Sequence, residues 1–439
     1  MLETIRNAWK TQELRKKILY TLFIIVIFRI GSVIPAPFLD ASVIAEWMGT
    51  NATNGNFLNY LDTLTGGALS KATIFSLSIT PFINASIIIQ LLTYAIPPLE
   101  RLSKEGTEGR KKIDKISAFV ALALGVFMSF AYYLTMRNAG AVTYTTGWEG
   151  IFAAAAIMLV FIAGSTLIVW LGNRINENGV GNGVSIILFA GIIARIPTDI
   201  VSTIKIAIDE PNPYAFVAVF VFVMFVAMIA FIVFMNNAER RIPVQYAKRV
   251  VGRKQYGGQS THIPVKVCMS GVMPIIFAMA FLSLPATISM FVPVADDPTT
   301  WGEKFYYYFI RFFSTNSVPY AILYFILIIA FNYFYVSMQY NPIEIANNLR
   351  QQNGGIPGIR PGKPTSDYIQ RVLSKITLVG AFFLGVIAIF PIFFSMAYPD
   401  LSGLSMGGTS ILIVVSVALE TVRTMESQMM MRHHKGFLE

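Results

Sequence analysis

Long apolar windows separated by short, charge-rich segments dominate the chain. A helix that crosses a bilayer core needs about 20 mostly apolar residues, and ten windows meet or approach that length: 18–36, 73–95, 116–136, 151–171, 183–200, 213–236, 268–291, 318–338, 375–396 and 407–425. The fifth is the weakest, being short and carrying Arg195 and Asp199. Apolar runs of helical length, with charge crowded between them, predict an all-α, polytopic membrane protein with ten transmembrane helices. The start, Met1 to Lys17, is charged and leads into the first apolar run without a small-residue cleavage signal, so it predicts a first span and no removable leader.

The loops set the orientation. An even number of spans puts both ends on one side; with that side cytoplasmic, 27 of the 34 lysines and arginines fall in cytoplasmic segments. The net charge of +10 then divides into +14 inside and −4 outside. Two cytoplasmic loops, 237–267 and 339–375, are longer than a connection needs. Pro243, Pro264, Pro342, Pro357, Pro361 and Pro364, with the Gly354-Gly355 pair, predict projecting turns there and not long helices. Their basic residues either fix topology only or form a surface for a large acidic or RNA-rich cytosolic partner. Arg360, between glycine- and proline-rich turns, is the strongest candidate for such a contact. On the external side, LNYLDTLTGGALSKA at 58–72 predicts a helix too short and too broken by Gly66-Gly67 to span. It is an external loop packed on the bundle or a re-entrant segment buried in protein.

Composition changes the picture by exclusion. Hydrophobic residues make up 55% of the chain and charged residues 13%, about half the charge fraction of a soluble domain. The single cysteine, Cys268, excludes an internal disulfide framework and a cysteine-only metal cluster within one chain. His262, His433 and His434 lie in polar or terminal segments, and Asp199 and Glu420 lie near span ends. The spans therefore offer no metal site, no serine-histidine pair, no paired acids and no midplane charge for ion coupling. No phosphate-binding GxxxxGK[ST] loop is present, so energy comes from a partner or a gradient. No catalytic residue, cofactor or metal is expected.

The two halves carry a matching feature. Span two contains SITPFINASIIIQLL and span seven SGVMPIIFAMAFLSL; Ile83 lies two residues after Pro81, and Ile276 two after Pro274. This predicts two five-span halves of opposite topology, residues 1–210 and 211–439. In span two Ile79, Ile83 and Ile87 recur every four residues and share a face, with Thr80, Asn84 and Gln90 beside them. The polar groups read either as helix glue or as an edge that opens, with the proline weakening the helix locally.

Eight words, in order, carry a resemblance: FRIGSVIP at 28–35, GGALSKATIFSLSITPFINASIIIQLL at 66–92, EGTEGRKKI at 105–113, GVGNGVSIILFAGI at 179–192, AKRVVGRKQYGGQSTHIPVKV at 247–267, NPIEIANNLR at 341–350, PGIRPG at 357–362 and GGTSILIVVSVALE at 407–420. Together they resemble the SecY family of protein translocase channels across essentially the whole chain. Cys268 departs from the family pattern, which has asparagine after the KV pair.

The resemblance implies a central hourglass pore with an apolar ring of Ile79, Ile83, Val184, Leu188, Ile276 and Ile413. It makes residues 60–71 a plug, with Leu61, Leu64, Gly66 and Gly67 seated beneath the ring. Spans two and seven become a lateral gate that includes Thr80, Asn84, Ile87, Met273 and Pro274. Lys248, Arg249, Arg253, Lys254 and Arg360 become docking residues for the SecA ATPase and the ribosome. The implied function is to translocate unfolded secretory polypeptides and to release membrane-protein helices sideways into lipid. The other implied partners are SecE, SecG, signal sequences, nascent polypeptides and membrane lipid, in the bacterial plasma (inner) membrane with both termini cytoplasmic. A ten-span solute transporter and an assembly scaffold are the competing readings; the missing midplane charges count against the first and the ordered words against both.

Overall fold

The structure, a computed structural model, describes residues 2–51, 62, 65–209, 214–246, 249–251, 254–256, 260–289, 300–314, 317–397 and 408–435. Helices α1 (Leu2–Lys10), α2 (Gln12–Gly31) and α3 (Ala41–Asn51) open the chain, followed by α4 (Thr80–Ala95), α5 (Pro97–Lys104), α6 (Thr107–Asn138), α7 (Gly147–Asn178), α8 (Gly183–Asp209) and α9 (Tyr214–Asn237). Strands β1 (Glu239–Tyr246), β2 (Arg249–Val251), β3 (Lys254–Tyr256) and β4 (Ser260–Lys266) precede α10 (Met273–Ser289), α11 (Trp301–Phe312), α12 (Val318–Gln339) and α13 (Pro342–Gln351). β5 (Gly354–Gly355), α14 (Lys363–Ala397) and α15 (Gly408–Lys435) complete the described elements. Each apolar window overlaps one of α2, α4, α6 to α10, α12, α14 and α15. Among the described residues, α6, α7, α12 and α14 meet the length and hydropathy needed to cross a membrane by themselves.

The window 73–95 is not one helix. α4 begins only at Thr80, with Ile79 as its cap, and residues 66–79 fold into consecutive turns. Those turns are closed by local bonds, such as Thr73 N–H to the Ala68 carbonyl at 3.0 Å, and by Ile74 N–H to the Ile34 carbonyl at 3.0 Å. Pro81 falls in the first turn, where the absent N–H would have had no partner, so it starts the helix and does not weaken its middle. Pro274 occupies the equivalent place in α10, which also follows a non-helical stretch, 267–272. α4 has 16 residues, about 24 Å at 1.5 Å per residue and so shorter than a bilayer core of ~30 Å. α5 turns away from it by 101°. With no buried residue and an exposed Lys104–Glu100 pair at 2.6 Å, α5 does not prolong the span.

The packing repeats between the halves. α4 lies on α6, α6 on α7 and α7 on α8; in the second half α10 lies on α12, α12 on α14 and α14 on α15. α8 joins the halves by packing on α9 and α15, whereas α4 and α10 touch only lightly. The bundle is thus closed along one side and thinly joined along the other.

The loop 237–267 folds as strands and not simply as turns. β1 pairs antiparallel with β4 from Glu239↔Lys266 to Gln245↔Ser260, and with β5 at Gln245↔Gly355 and Tyr246↔Gly354. Ile242 and Val244 alternate with exposed residues and form a small core with Val265, Leu349, Ile356, Ile369 and Leu373. The two basic loops are therefore one body: the two-residue period of β1 gives the first an apolar face, and Leu349 of α13, Ile356, and Ile369 and Leu373 of α14 cover it from the second. The rest of the fold is helical, as the windows predicted.

Candidate functional site

The six aliphatic residues of the expected ring come from four helices and meet in one apolar cluster. Ile79, Leu188 and Ile413 are buried, and Ile83, Val184 and Ile276 pack against them half-buried. α4 and α10 both begin at this cluster, since Ile79, Ile83, Val272 and Ile276 all belong to it. α8 enters close beside α7: a Cβ on Gly183 would lie 1.9 Å from the Gly172 carbonyl oxygen, so this crossing requires glycine. Phe28, Phe75, Ile187 and Ile192 extend the cluster and were not singled out in the sequence, where they are ordinary apolar residues of their windows.

Beside the cluster, which includes Phe75 and Ile79, the turns at 66–79 form a seat. Gly66 has φ +71°, and a Cβ there would sit 2.6 Å from the Gly191 carbonyl oxygen and 2.9 Å from Arg29 Nη1. Gly67, at φ +80°, donates its N–H to the Asp62 carbonyl at 2.8 Å. Ala72 and Ser78 also take positive φ, 49° and 48°, each at a cost of roughly 1–2 kcal/mol that the surrounding packing must offset. Leu61 and Leu64 lie outside the described residues.

Asp62 anchors this segment. Its carboxylate pairs with Arg195 of α8 and accepts the Ser70 N–H at 2.8 Å. The charge that made the fifth window weak is thus half of an ion pair across 133 residues. The only sequence signal was the two unmatched charges themselves. Nearby, Arg29 Nη1 is buried without a hydrogen-bond partner among the described residues.

The expected gate residues divide between the two halves. Thr80, Asn84 and Ile87 lie on α4, which packs on α6; Met273 and Pro274 open α10, which packs on α12. The start of α10 is fixed to its own half by Ser270, whose hydroxyl donates to Asn332 Oδ1, while Asn332 Nδ2 donates to the Thr377 carbonyl at 2.9 Å. Cys268, beside it, is buried in the second-half core. Each wall is held by its own neighbours and only lightly by the other.

Above the cluster, on the side of the sheet, lies a cavity of about 750 Å³. Its base reaches Val272 and Met273, and its walls include Asn182, Lys266, Glu420 and Arg423. Its volume is many times the ~30 Å³ share of one water molecule and its lining is mixed, so it has room and polar partners for many waters. Partial desolvation, then the neighbouring Arg423 charge, holds the Lys266 ammonium below the usual lysine pKa.

Of the expected docking residues, Arg360 is exposed in the turn after β5, between Gly358 at φ +79° and Gly362 at φ +105°. Arg249 and Lys254 lie on paired strands β2 and β3, at the tip of the same projection. Lys248 and Arg253 lie outside the described residues.

A cavity of mixed lining that adjoins an aliphatic cluster drawn from four helices of an apolar bundle, with a folded segment packed beside that cluster, is the arrangement of a channel-forming membrane protein. Residues 73–422 match the SecY family model. The chain is 39% identical to Protein translocase subunit SecY of Streptomyces coelicolor, covering 100% of both. Its fold is similar to a solved protein conducting channel, with TM-score 0.62 at 16% identity over 94% of this chain and 92% of the other. It is also similar to a chain of the idle yeast Ssh1 complex bound to the yeast 80S ribosome, with TM-score 0.56 at 14% identity over 92% and 88%. The chain belongs to the SecY family. It is a channel subunit of the protein translocase type and not an enzyme.

Proposed function

We propose that unfolded secretory polypeptides cross the membrane through the constriction formed by Ile79, Ile83, Val184, Leu188, Ile276 and Ile413, and that apolar segments leave sideways into lipid between α4 and α10. The observation that carries this reading is the convergence of six aliphatic side chains from four helices in one apolar cluster, which shares Val272 with the lining of a large cavity on the side of the sheet. Such a constriction excludes water and ions by dewetting and still deforms around a passing chain. Residues 60–71 act as the plug, held by Gly66 against Gly191 and by Asp62 against Arg195. The light contact between α4 and α10, against the firm packing of each in its own half, supports a seam that opens when a signal sequence binds the open state better than the closed one. The packing order supports two halves, 1–210 and 211–439, that move about α8, α9 and α15. The test is a photo-crosslinker at position 83 challenged with a stalled secretory chain. A crosslink is expected, and a solute transporter or a scaffold would give none.

In this reading the sheet-based projection receives the cytosolic machinery, the SecA ATPase and the ribosome, through Lys248, Arg249, Arg253, Lys254 and Arg360. Its common core joins both basic loops, which supports a rigid docking surface. SecE and SecG are the small membrane partners, the membrane is the bacterial plasma membrane, and both termini are cytoplasmic, a placement that the charge asymmetry supports. Because Arg360 is exposed and outside the core of the projection, Arg360→Glu is expected to leave the fold intact. It should slow motor-driven translocation about tenfold at limiting motor, the effect of roughly 1.4 kcal/mol of lost docking energy. A wild-type rate in reconstituted vesicles would refute the assignment of Arg360.

A further inference from the structure

Helix α11, WGEKFYYYFIRF on the external side between α10 and α12, packs with its most apolar face outward. Tyr306, Tyr307 and Ile310 are the half-buried positions, and Phe313, just after the helix, joins the second-half core. The opposite face carries Trp301, Phe305, Tyr308, Phe309 and Phe312, exposed by 83, 65, 66, 38 and 45%. At 100° per residue these five fall within one stripe about 100° wide. Trp301 stacks on Phe305 and Phe305 on Phe309, each at 6.3 Å, so the stripe is a continuous aromatic ladder. Lys304 and Arg311 share one flank of it, and both are exposed.

In water such a face would be an aggregation liability. α11 touches α10, and the six Cα–Cα steps from Phe312 to Val318 reach at most on the order of 20 Å to the start of α12. Both neighbours are read as spans ending at that surface, so α11 lies within reach of the outer headgroup region. An amphipathic helix with tryptophan and phenylalanine on one face and basic residues at its flank fits the boundary between headgroups and acyl chains.

We propose that α11 is an interfacial anchor that binds the outer leaflet: Trp301, Phe305, Phe309 and Phe312 enter the acyl boundary, and Lys304 and Arg311 extend to lipid phosphates. Because α11 contacts α10 and Phe313 packs in the second-half core, the anchor ties that half to the bilayer beside the seam.

The test places a nitroxide at position 303, 305 or 309 of the full chain, with Cys268 replaced by alanine, in vesicles of phosphatidylethanolamine and phosphatidylglycerol. Collisions with oxygen are expected to exceed collisions with a water-soluble nickel chelate at 305 and 309, and the ratio to invert at 303. Dominant nickel collisions at 305 and 309 would mean a water-facing helix, and low values for both reagents would mean a covering protein; either result overturns the proposal. These labels report independently of the crosslink from position 83, so failure of the anchor and failure of the channel reading are distinguishable.

Discussion

Arg195→Ala is expected to unseat the segment proposed above as the plug of the constriction. Asp62 has only 5% of its side chain exposed and Arg195 28%, so the pair is largely withdrawn from water. Removing one partner of a buried pair costs about 3–5 kcal/mol, because the remaining charge is left uncompensated. Where Asp62 relieves that cost by moving into water, it takes Ser70 and the turn at Gly66-Gly67 with it, since Asp62 accepts from the Ser70 N–H and the Gly67 N–H. At 1.4 kcal/mol per factor of ten, the closed state loses roughly a hundredfold or more in population against unseated states. Asp62→Asn should do less, because the amide oxygen can still accept from Ser70 and Arg195 is the more exposed partner. The exchange Asp62→Arg with Arg195→Asp should restore part of the seal. Ion conductance of reconstituted vesicles checks all three. Unchanged conductance in Arg195→Ala would show that the pair does not hold the seat.

Ile413→Asn is expected to wet the constriction. Ile413 is 1% exposed and sits among residues of α4, α8 and α10. The substitution gives up about 1.5–3 kcal/mol of apolar burial and leaves an amide that must find a partner or water, at a further ~1–3 kcal/mol. Water entering to satisfy that amide is the wetted state, so ion leak should rise and substrates with defective signal sequences should pass. Ile413→Val keeps the surface apolar and costs only about 1 kcal/mol; its leak should stay near wild type. If the asparagine and valine variants leak equally, the constriction does not seal by dewetting at Ile413.

Both predictions rest on contacts between distant parts of the chain, and these were the least legible features of the sequence. Ile79, Ile83 and Ile87 could be assigned to one helix face by their spacing, yet nothing in the windows of α8 or α15 marked Leu188 or Ile413 as facing them. In a membrane both the lipid and the protein interior are apolar, so a span shows little periodicity to tell its inner face from its outer one. The family words supplied that pairing, and the structure brings the six residues together. Pro81 was read as a weak point inside a long helix; the turns before Thr80 make it a helix start. The sheet was legible in principle, because RIPVQY and THIPV alternate apolar and polar residues, but the prolines pointed more strongly to turns.

What the sequence determined by itself was the number and extent of the apolar windows and the uneven share of basic residues among the segments between them. These follow from local physics: hydrocarbon admits backbone only when its polar groups are satisfied within the segment, and basic residues stay on the cytoplasmic side. The tertiary structure decided where span two starts, that the two basic loops share one sheet, that Asp62 answers Arg195, and that the aromatic face of α11 points away from the protein. Each of these is a choice of partner among many chemically similar candidates. That choice is made by packing across the whole bundle, which no local window contains.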